Sequence, residues 1–173
     1  MGSGSAGIGV ADSLWEALVA DDLSETEARS RFWLINSGGL LHSERTDLSE
    51  EQRRYAQPAD RVANFPRTLE NHRIDLSDVI HKIDATILIG LLTLPGAFTE
   101  SIVHEMARKC ERPIILPLSN PTSKAEAVPE DLLRWTDGRA LIATGSPSPD
   151  VAYKGRKMRI SRVTDGMFFA HPM

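Results

Sequence analysis

Three glycines near the start of the sequence have the spacing of a phosphate-binding loop. Gly2, Gly4 and Gly7 form the pattern G-x-G-x-x-G, and an apolar helical pattern follows directly. In such a loop the first glycine permits a tight turn, the second lets backbone approach a pyrophosphate, and the third allows close packing of the helix. The helix N-terminus adds free N–H groups and a positive dipole. The pattern alone is weak because a strand should precede it, and a Gly/Ser-rich linker over residues 1–5 is the alternative.

A dinucleotide site also requires a polar side chain that binds the adenosine ribose at the end of the second strand. Asn36 occupies that position, after an apolar run and before Gly38 and Gly39. Its amide can hydrogen-bond ribose hydroxyls, but it lacks the charge that would repel a 2′-phosphate. The alternative is that Asn36 only begins a turn at the two glycines.

The histidines do not have the spacing of a metal site. No two of them stand four positions apart or share a short loop, which are usual arrangements of metal ligands. They are His42, His72, His81, His104 and His171. We expect each to be a surface or capping residue, and the sequence predicts no metal ligand.

Four short aliphatic runs are typical of buried parallel strands, because they are apolar on both faces. They are residues 32–35, 86–89, 113–118 and 140–143. Apolar stripes with helical spacing lie at residues 8–19, 76–83 and 102–106, and Pro129 suits the first turn of a further helix. Capping-box spacing occurs at Ser24–Glu27, Ser49–Gln52 and Ser123–Glu126. This alternation predicts right-handed βαβ units in an α/β fold, a doubly wound, mostly parallel sheet of the dinucleotide-binding (Rossmann) type.

Residues 42–73 do not follow the alternation. The segment is polar, carries Pro58 and Pro66, and shows one short helical pattern near Glu50. We interpret it as an ordered excursion between two strands, so that residues 1–173 form a single domain. From Val151 the pattern changes again, and residues 153–157 predict a hairpin turn.

Composition excludes several classes of partner. Of the 173 residues 41% are hydrophobic and 25% charged, and the net charge of −4 gives no electrostatic argument for nucleic acid. The longest apolar run, residues 85–92, is too short to cross a bilayer, and no signal peptide is visible. The single Cys110 excludes an internal disulfide and fits a reducing compartment. We therefore expect a cytoplasmic protein with no membrane partner.

Several segments resemble malic enzymes. Residues 117–126, Pro-Leu-Ser-Asn-Pro-Thr-Ser-Lys-Ala-Glu, are similar to the signature segment of that family, and residues 88–90 with 94–100 resemble its loop near the nicotinamide. Residues 135–141 and 143–147 follow in the family's order and spacing, and residues 2–12 are similar to its glycine loop nearly residue for residue. The likeness covers essentially the whole chain and disfavours the linker interpretation. Malolactic enzymes share this domain.

The resemblance implies an activity and a set of site residues. The family oxidises malate with NAD or NADP and decarboxylates the bound oxaloacetate to pyruvate, with Mg²⁺ or Mn²⁺ stabilising the enolate. The residues that match its cofactor site are Gly2, Ser3, Gly4, Ser5, Ala6 and Gly7 for the pyrophosphate, Asn36 for the ribose, and Gly90, Leu91, Leu92 and Asn120 on the nicotinamide side. Asn120 also matches the residue that reaches the substrate carboxylate. Its alternative is a turn-forming Asn before Pro121.

The sequence departs from the family near its end. Thr164 and Asp165 stand where the family has paired asparagines that bind malate. A carboxylate at Asp165 would repel the carboxylates of the substrate. The resemblance therefore predicts Asn120 and Asp165 as substrate-binding positions while predicting weakened substrate binding.

The resemblance also places the family's catalytic tyrosine, catalytic lysine, acidic metal ligands and first strand before the glycine loop, where this sequence has no counterpart. We expect a nucleotide-binding domain truncated at both ends, a homo-oligomer by family, and a chain that is not catalytic by itself. Two alternatives stay open: a non-catalytic nucleotide-binding or assembly module, and the domain of a malolactic enzyme. The sequence does not decide between NAD and NADP.

Overall fold

The structure is a computed structural model that describes residues 2–68 and 72–163. Asp165 and His171 lie outside the described residues. The chain divides after Val79 into two compact units, called here the first and the second unit. Helix α4, Leu76–Lys82, crosses this boundary.

The first unit consists of short elements around one long helix. Its elements are α1 Ser5–Ala20, α2 Glu25–Ser30, β1 Ile35–Asn36, β2 Gly39–Leu40, α3 Glu50–Arg53 and a 3₁₀ turn at Asp60–Val62. The predicted first helix is confirmed by α1. The capping boxes Ser24–Glu27 and Ser49–Gln52 are both formed, at the starts of α2 and α3. Hydrogen bonds between side chains and the otherwise unpaired backbone N–H groups therefore fix where these two short helices begin.

The core of the first unit combines α1 with the segment that follows the hairpin. Its buried members are Ile8, Ala11, Leu34, Leu41, Leu48 and Tyr55. Leu48 and Tyr55 come from residues 42–73, the polar excursion of the sequence. The excursion is thus ordered and contributes apolar side chains to the core of its own unit.

The strand predicted at residues 32–35 is wrong for most of its length. Only Ile35 lies in a strand, and β1 pairs antiparallel with β2 in a hairpin, Ile35 opposite Leu40. The preceding backbone is held differently: Gln57 Nε2 donates to the Phe32 carbonyl at 2.5 Å, and Leu41 N donates to the Leu34 carbonyl at 2.8 Å. The Phe32 carbonyl is thus satisfied by a side chain rather than by a neighbouring strand, so the apolar run alone did not decide the conformation.

The second unit is an alternating α/β structure. Its elements are β3 Ile87–Gly90, α5 Glu100–Lys109, β4 Ile114–Pro117, a 3₁₀ turn at Thr122–Lys124, α6 Pro129–Trp135, β5 Leu141–Thr144, β6 Val151–Tyr153, β7 Arg156–Met158 and β8 Ser161–Arg162. The strands β3, β4, β5 and β8 form a parallel sheet in that order. This confirms the predicted mostly parallel α/β fold, and the bounds of the strands predicted at residues 86–89, 113–118 and 140–143 are each shifted by one residue.

The remaining elements of the second unit also match the sequence patterns. Pro129 is in the first turn of α6, and β6 and β7 form the predicted antiparallel hairpin. The loops that follow β3 and β4 begin at neighbouring positions, because Gly90 pairs with Pro117 in parallel register. No helix in the described part of the chain is both long and apolar enough to cross a membrane.

The centre of the parallel sheet should dominate the stability of the second unit. Ile115 on β4 is fully buried, whereas Ile87, at the start of the adjacent β3, is 48% exposed. We expect Ile115→Ala to lower the free energy of unfolding by about 2–5 kcal/mol, since it leaves a cavity in a packed core. Ile87→Ala is the matched control and should lower it by less than about 1 kcal/mol. Urea titration followed by circular dichroism measures both; equal losses would contradict the central position of β4.

Candidate functional site

The glycine loop is folded and its three glycines stand in three different environments. Gly2 adopts a left-handed φ of 114°, and its N–H donates to the Ile35 carbonyl at 2.8 Å. A Cβ on Gly7 would overlap the Gly2 carbonyl oxygen, so the loop requires glycine there to close. A Cβ on Gly4 would have no neighbour within 4 Å among the residues that the structure describes, and the φ of Gly4 is −73°. Burial of Gly2 and Ser3 does not fit a solvated linker.

The first turn of α1 is open to a ligand. Gly4 is the N-cap and supplies no side-chain hydrogen bond, and no acidic residue stands in the first turn. The first N–H groups of a helix have no partner within the helix and carry its positive dipole. At this helix N-terminus, therefore, neither an N-cap side chain nor a first-turn carboxylate competes for a ligand.

Gln52 anchors the glycine loop from outside. Its Nε2 donates to the Ser3 carbonyl at 2.9 Å and to Ser3 Oγ at 3.1 Å, while its Oε1 accepts from Ser49 N at 3.1 Å. The sequence predicted the capping box but not the contact with Ser3, which lies 49 residues away. The short helix α3 of the excursion therefore holds the glycine loop in place through Gln52.

Asn36 follows the buried start of β1 and forms the turn to β2. Its Oδ1 accepts from Gly38 N at 2.9 Å, which is the turn proposed as the alternative, and from Arg45 Nη1 at 2.9 Å. Because both hydrogen bonds engage the oxygen, the amide group Nδ2 is the part of Asn36 that remains for a ligand. The backbone hydrogen bond between Gly2 and Ile35 brings the glycine loop beside this turn.

In the second unit, the loops after β3 and β4 contact one another. The Leu118 N–H donates to the Gly90 carbonyl at 3.0 Å, and the Thr93 N–H donates to Ser119 Oγ at 2.9 Å. These bonds bring the predicted nicotinamide-side residues Gly90, Leu91 and Leu92 close to the segment that carries Asn120. The placement agrees with ligand binding at the carboxyl ends of parallel strands.

Glu126 is fully buried between these two loops. Its Oε1 accepts from Ser119 Oγ at 2.5 Å and from Leu92 N at 3.3 Å, and its Oε2 accepts from Ser119 N at 3.4 Å. A Cβ on Gly90 would overlap its carboxyl carbon, so the absent side chain of Gly90 makes room for it.

The predicted capping box Ser123–Glu126 is therefore wrong. The residues around Ser123 form a 3₁₀ turn that ends at Lys124, and Ala125 is extended, so no α-helix continues to Glu126. The Glu126 side chain instead accepts hydrogen bonds from donors in the loops after β3 and β4, which a solvent-exposed helix start would not provide.

Asn120 is held by the loop after β5. Ser146 Oγ donates to Asn120 Oδ1, and Gly145 lets that loop approach, since a Cβ there would overlap the Leu118 carbonyl oxygen. Asn120 precedes a cis peptide bond to Pro121. With Oδ1 occupied, the exposed side chain presents its Nδ2 group to a ligand.

His42 and His104 occupy different environments. Among the described residues no group of three His, Cys, Asp or Glu side chains could hold a metal ion. His104 is exposed and lies 3.7 Å from Glu100, whereas His42 is buried, which corrects the expectation of a surface position. Burial, together with the nearby Arg67, lowers the pKa of His42 despite the opposing effect of Glu44, so it favours the neutral form.

The structure thus forms two groups of predicted residues: the glycine loop with Asn36 in the first unit, and Gly90–Leu92 with Asn120 in the second. The residues that hold these groups, Gln52, Arg45, Glu126 and Ser146, were missed by the sequence argument. A capping-box signal pointed to Gln52 and a signature segment contained Glu126, but neither pattern indicated the contact that is made.

Comparison with known proteins gives consistent matches. The family described as "Malic enzyme, NAD binding domain" matches residues 1–170. The chain is similar to NAD-dependent malic enzyme 3 of Bacillus subtilis, 49% identical over 97% of the chain, and to the NAD-dependent malic enzymes of Sodalis glossinidius and Acinetobacter baylyi, 44% and 42% identical over 98%. The chain spans about 30% of the length of these relatives.

Removal of the Glu126 carboxylate should unfold the loops after β3 and β4. Glu126→Ala leaves the Ser119 hydroxyl and the N–H groups of Ser119 and Leu92 without their acceptor. The two buried Ser119 donors should cost about 1–3 kcal/mol each, and the half-buried Leu92 N–H less. We expect a total loss of roughly 3 kcal/mol or more in the free energy of unfolding. Glu130→Ala, an exposed change in the first turn of α6, should cost less than about 1 kcal/mol. Urea titration compares them; similar losses would show that the buried carboxylate does not hold the loops.

Proposed function

Because the chain belongs to the malic enzyme family and matches its NAD-binding domain over residues 1–170, we propose that these 173 residues bind NAD as a single domain. Gly4 carries the proposal. Neither its backbone conformation nor protein packing requires glycine there, whereas a pyrophosphate lying against the loop would. The match covers both compact units, which supports one NAD(P)-binding domain.

The glycine loop is proposed to hold the pyrophosphate. The N–H groups of Ser5, Ala6 and Gly7 belong to the first turn of α1, where no side chain competes for them. Oriented backbone donors at a helix N-terminus bind phosphate oxygens and stabilise their charge. Gln52 is then a positioning residue, because its bonds to Ser3 fix the loop before any ligand arrives.

Asn36 is proposed to bind the adenosine ribose through its Nδ2 group. The Oδ1 atom already accepts two hydrogen bonds, from Gly38 and Arg45. An amide donor can bond a ribose hydroxyl oxygen, although the bidentate acceptance that a carboxylate offers to two hydroxyls is lost. Asn36 would therefore mainly orient the adenosine ribose and would add little to the affinity for NAD.

The nicotinamide side of the site is proposed to lie at the carboxyl ends of β3 and β4, where the bound cofactor would supply the hydride acceptor. Gly90, Leu91 and Leu92 would line the nicotinamide ribose. Asn120, oriented by Ser146, would donate from Nδ2 to the nicotinamide amide or to a substrate carboxylate. Glu126 is the positioning residue here, since it fixes both loops without facing a ligand.

For the whole protein we propose oxidative decarboxylation of malate to pyruvate and CO₂, in a cytoplasmic homo-oligomer. The names of the three relatives support NAD-dependent malic enzyme activity. Asp165 is proposed as a residue near the substrate. A divalent metal is proposed for the whole protein only, because the described residues provide no cluster that fits one.

The proposed role of Gly4 is tested by a change that should spare the fold. Gly4→Ala places a methyl group in open space at a negative φ, so we expect stability to change by no more than about 1 kcal/mol. The same methyl group would keep the pyrophosphate from the helix N-terminus, and the NAD dissociation constant should rise about tenfold or more. Isothermal titration calorimetry measures affinity, and thermal unfolding measures stability.

Two matched variants control this test. Ser13→Ala, on the same helix, should leave both affinity and stability near the values of the unchanged chain. Gly7→Ala should reduce stability as well as binding, because its Cβ overlaps the Gly2 carbonyl. Wild-type NAD affinity in Gly4→Ala would refute the assignment of this loop to the pyrophosphate.

The enzymatic part of the proposal makes a separate prediction for the 173-residue chain by itself. It should show no malate-dependent reduction of NAD or NADP, with or without Mg²⁺ or Mn²⁺. Each positioned general acid or base contributes about 10²–10⁴-fold, and the residues assigned above bind or orient rather than transfer protons. The absorbance of reduced nicotinamide gives the rate. Turnover that persists through repurification and disappears in Asn120→Ala would show that the chain is catalytic alone.

A further inference from the structure

Charged side chains surround the turn between β1 and β2, where Asn36 is proposed to bind the ribose. Among the described residues, two arginines reach this turn. Arg45 Nη1 donates to Asn36 Oδ1 at 2.9 Å, and Arg73 Nη1 donates to the Ser37 carbonyl at 3.4 Å. An arginine in this position is the usual binding partner of the 2′-phosphate that distinguishes NADP from NAD. The arginines alone would therefore predict an NADP site.

Each of these arginines is paired with an aspartate two positions later in the sequence. Arg45 donates twice to the Asp47 carboxylate, from Nε at 3.0 Å and from Nη2 at 2.6 Å. Arg73 Nε lies 2.7 Å from Asp75 Oδ1. The Arg45–Asp47 pair is bidentate, and such pairing is among the strongest and most directional ion pairs in proteins.

Arg45 has almost no donor left for a phosphate. Besides Asp47, its Nη1 donates to Asn36 Oδ1 and to the Gly39 carbonyl at 3.1 Å. Its side chain is only 10% exposed, and Nη2 would lie 2.6 Å from a Cβ on Gly38. Four of its five N–H groups are thus engaged, and a phosphate could bind it only by displacing Asp47 or by lying beside that carboxylate.

The charges at the turn do not favour a dianion. Asp78 Oδ2 accepts from Asp75 N at 3.1 Å, which brings a third carboxylate to the Arg73 pair. The hydrogen bond from Arg45 lowers the pKa of Asp47, so that carboxylate stays ionised at neutral pH. A phosphate monoester carries about −1.5 to −2 charges at pH 7 and would meet two arginines already paired with carboxylates, together with the further carboxylate of Asp78.

We propose that Asp47 and Asp75 make this site select NAD over NADP, by engaging the two arginines that would otherwise bind a 2′-phosphate. This inference rests on the proposed NAD site. Asn36 cannot provide the selection itself, since a neutral amide N–H would donate to a hydroxyl oxygen or to a phosphate oxygen equally well. Selectivity lies instead in residues that touch neither the ribose nor the phosphate.

The test compares dissociation constants for NAD and NADP by calorimetry, in the unchanged chain and in Asp47→Asn. The ratio of the NADP constant to the NAD constant should be well above one in the unchanged chain. Asp47→Asn should lower that ratio about tenfold or more, mainly through tighter NADP binding, because the freed guanidinium gains a charge-assisted hydrogen bond. The Asp47 side chain is 66% exposed, so its loss should leave the fold intact by circular dichroism.

Three further variants decide between explanations. Asp60→Asn, an exposed change of the same net charge, should leave the ratio unchanged. Asp47→Asn combined with Arg45→Met should restore selectivity, since the freed guanidinium is removed. Asp75→Asn should shift the ratio in the same direction through Arg73, and it carries the test if Asp47→Asn does not fold.

The outcomes separate this inference from the proposed function. An unchanged ratio in both Asp47→Asn and Asp75→Asn, with NAD still bound, would overturn the inference alone. An equal shift in Asp60→Asn would also overturn it, because general charge would then explain selectivity. Binding of neither cofactor by the unchanged chain would overturn the proposed function, and the inference with it.

Discussion

The carboxylate of Glu126 accepts hydrogen bonds from the loops that follow two neighbouring strands. Parallel strands leave irregular backbone at their carboxyl ends, and buried backbone N–H groups there need acceptors. One buried side chain supplies these acceptors for Leu92 and Ser119 together. The position of Asn120, immediately after Ser119, depends on this arrangement, and so does the absence of a side chain at Gly90. The chemistry proposed for the second unit is therefore built on a residue that no ligand touches.

The first unit solves the same problem with longer polar side chains. Gln52 holds the Ser3 carbonyl, Gln57 holds the Phe32 carbonyl, and Arg45 holds the carbonyl of Gly39. All three come from the polar excursion, which has little regular secondary structure of its own. Its composition follows from this use, because carbonyl groups of loops and short strands require donors that apolar side chains cannot provide.

Features that depend on residues near one another in the sequence could be predicted, whereas contacts between distant residues could not. The parallel strands and α1 follow from apolar periodicity, and the capping boxes at Ser24 and Ser49 depend on residues three positions apart. The strand predicted at residues 32–35 was mostly wrong, because tertiary structure decides whether an apolar run finds a partner strand. The capping box predicted at Ser123–Glu126 was wrong although its spacing was right, because the sequence does not reveal that the Glu126 side chain is buried. The contact between Ser146 and Asn120 spans 26 residues, and no pattern in either segment indicates it.

The open space at Gly4 has a consequence for how this chain would change over generations. Folding places no demand on that position, while Gly7, three residues later, is required for the loop to close. If the loop binds the pyrophosphate as proposed, purifying selection at Gly4 acts through the bound cofactor. In a lineage that abandoned the cofactor but kept the fold, residue 4 would drift freely while residue 7 stayed glycine. The identity of this one residue across descendants would then record whether the ancestral ligand was still in use.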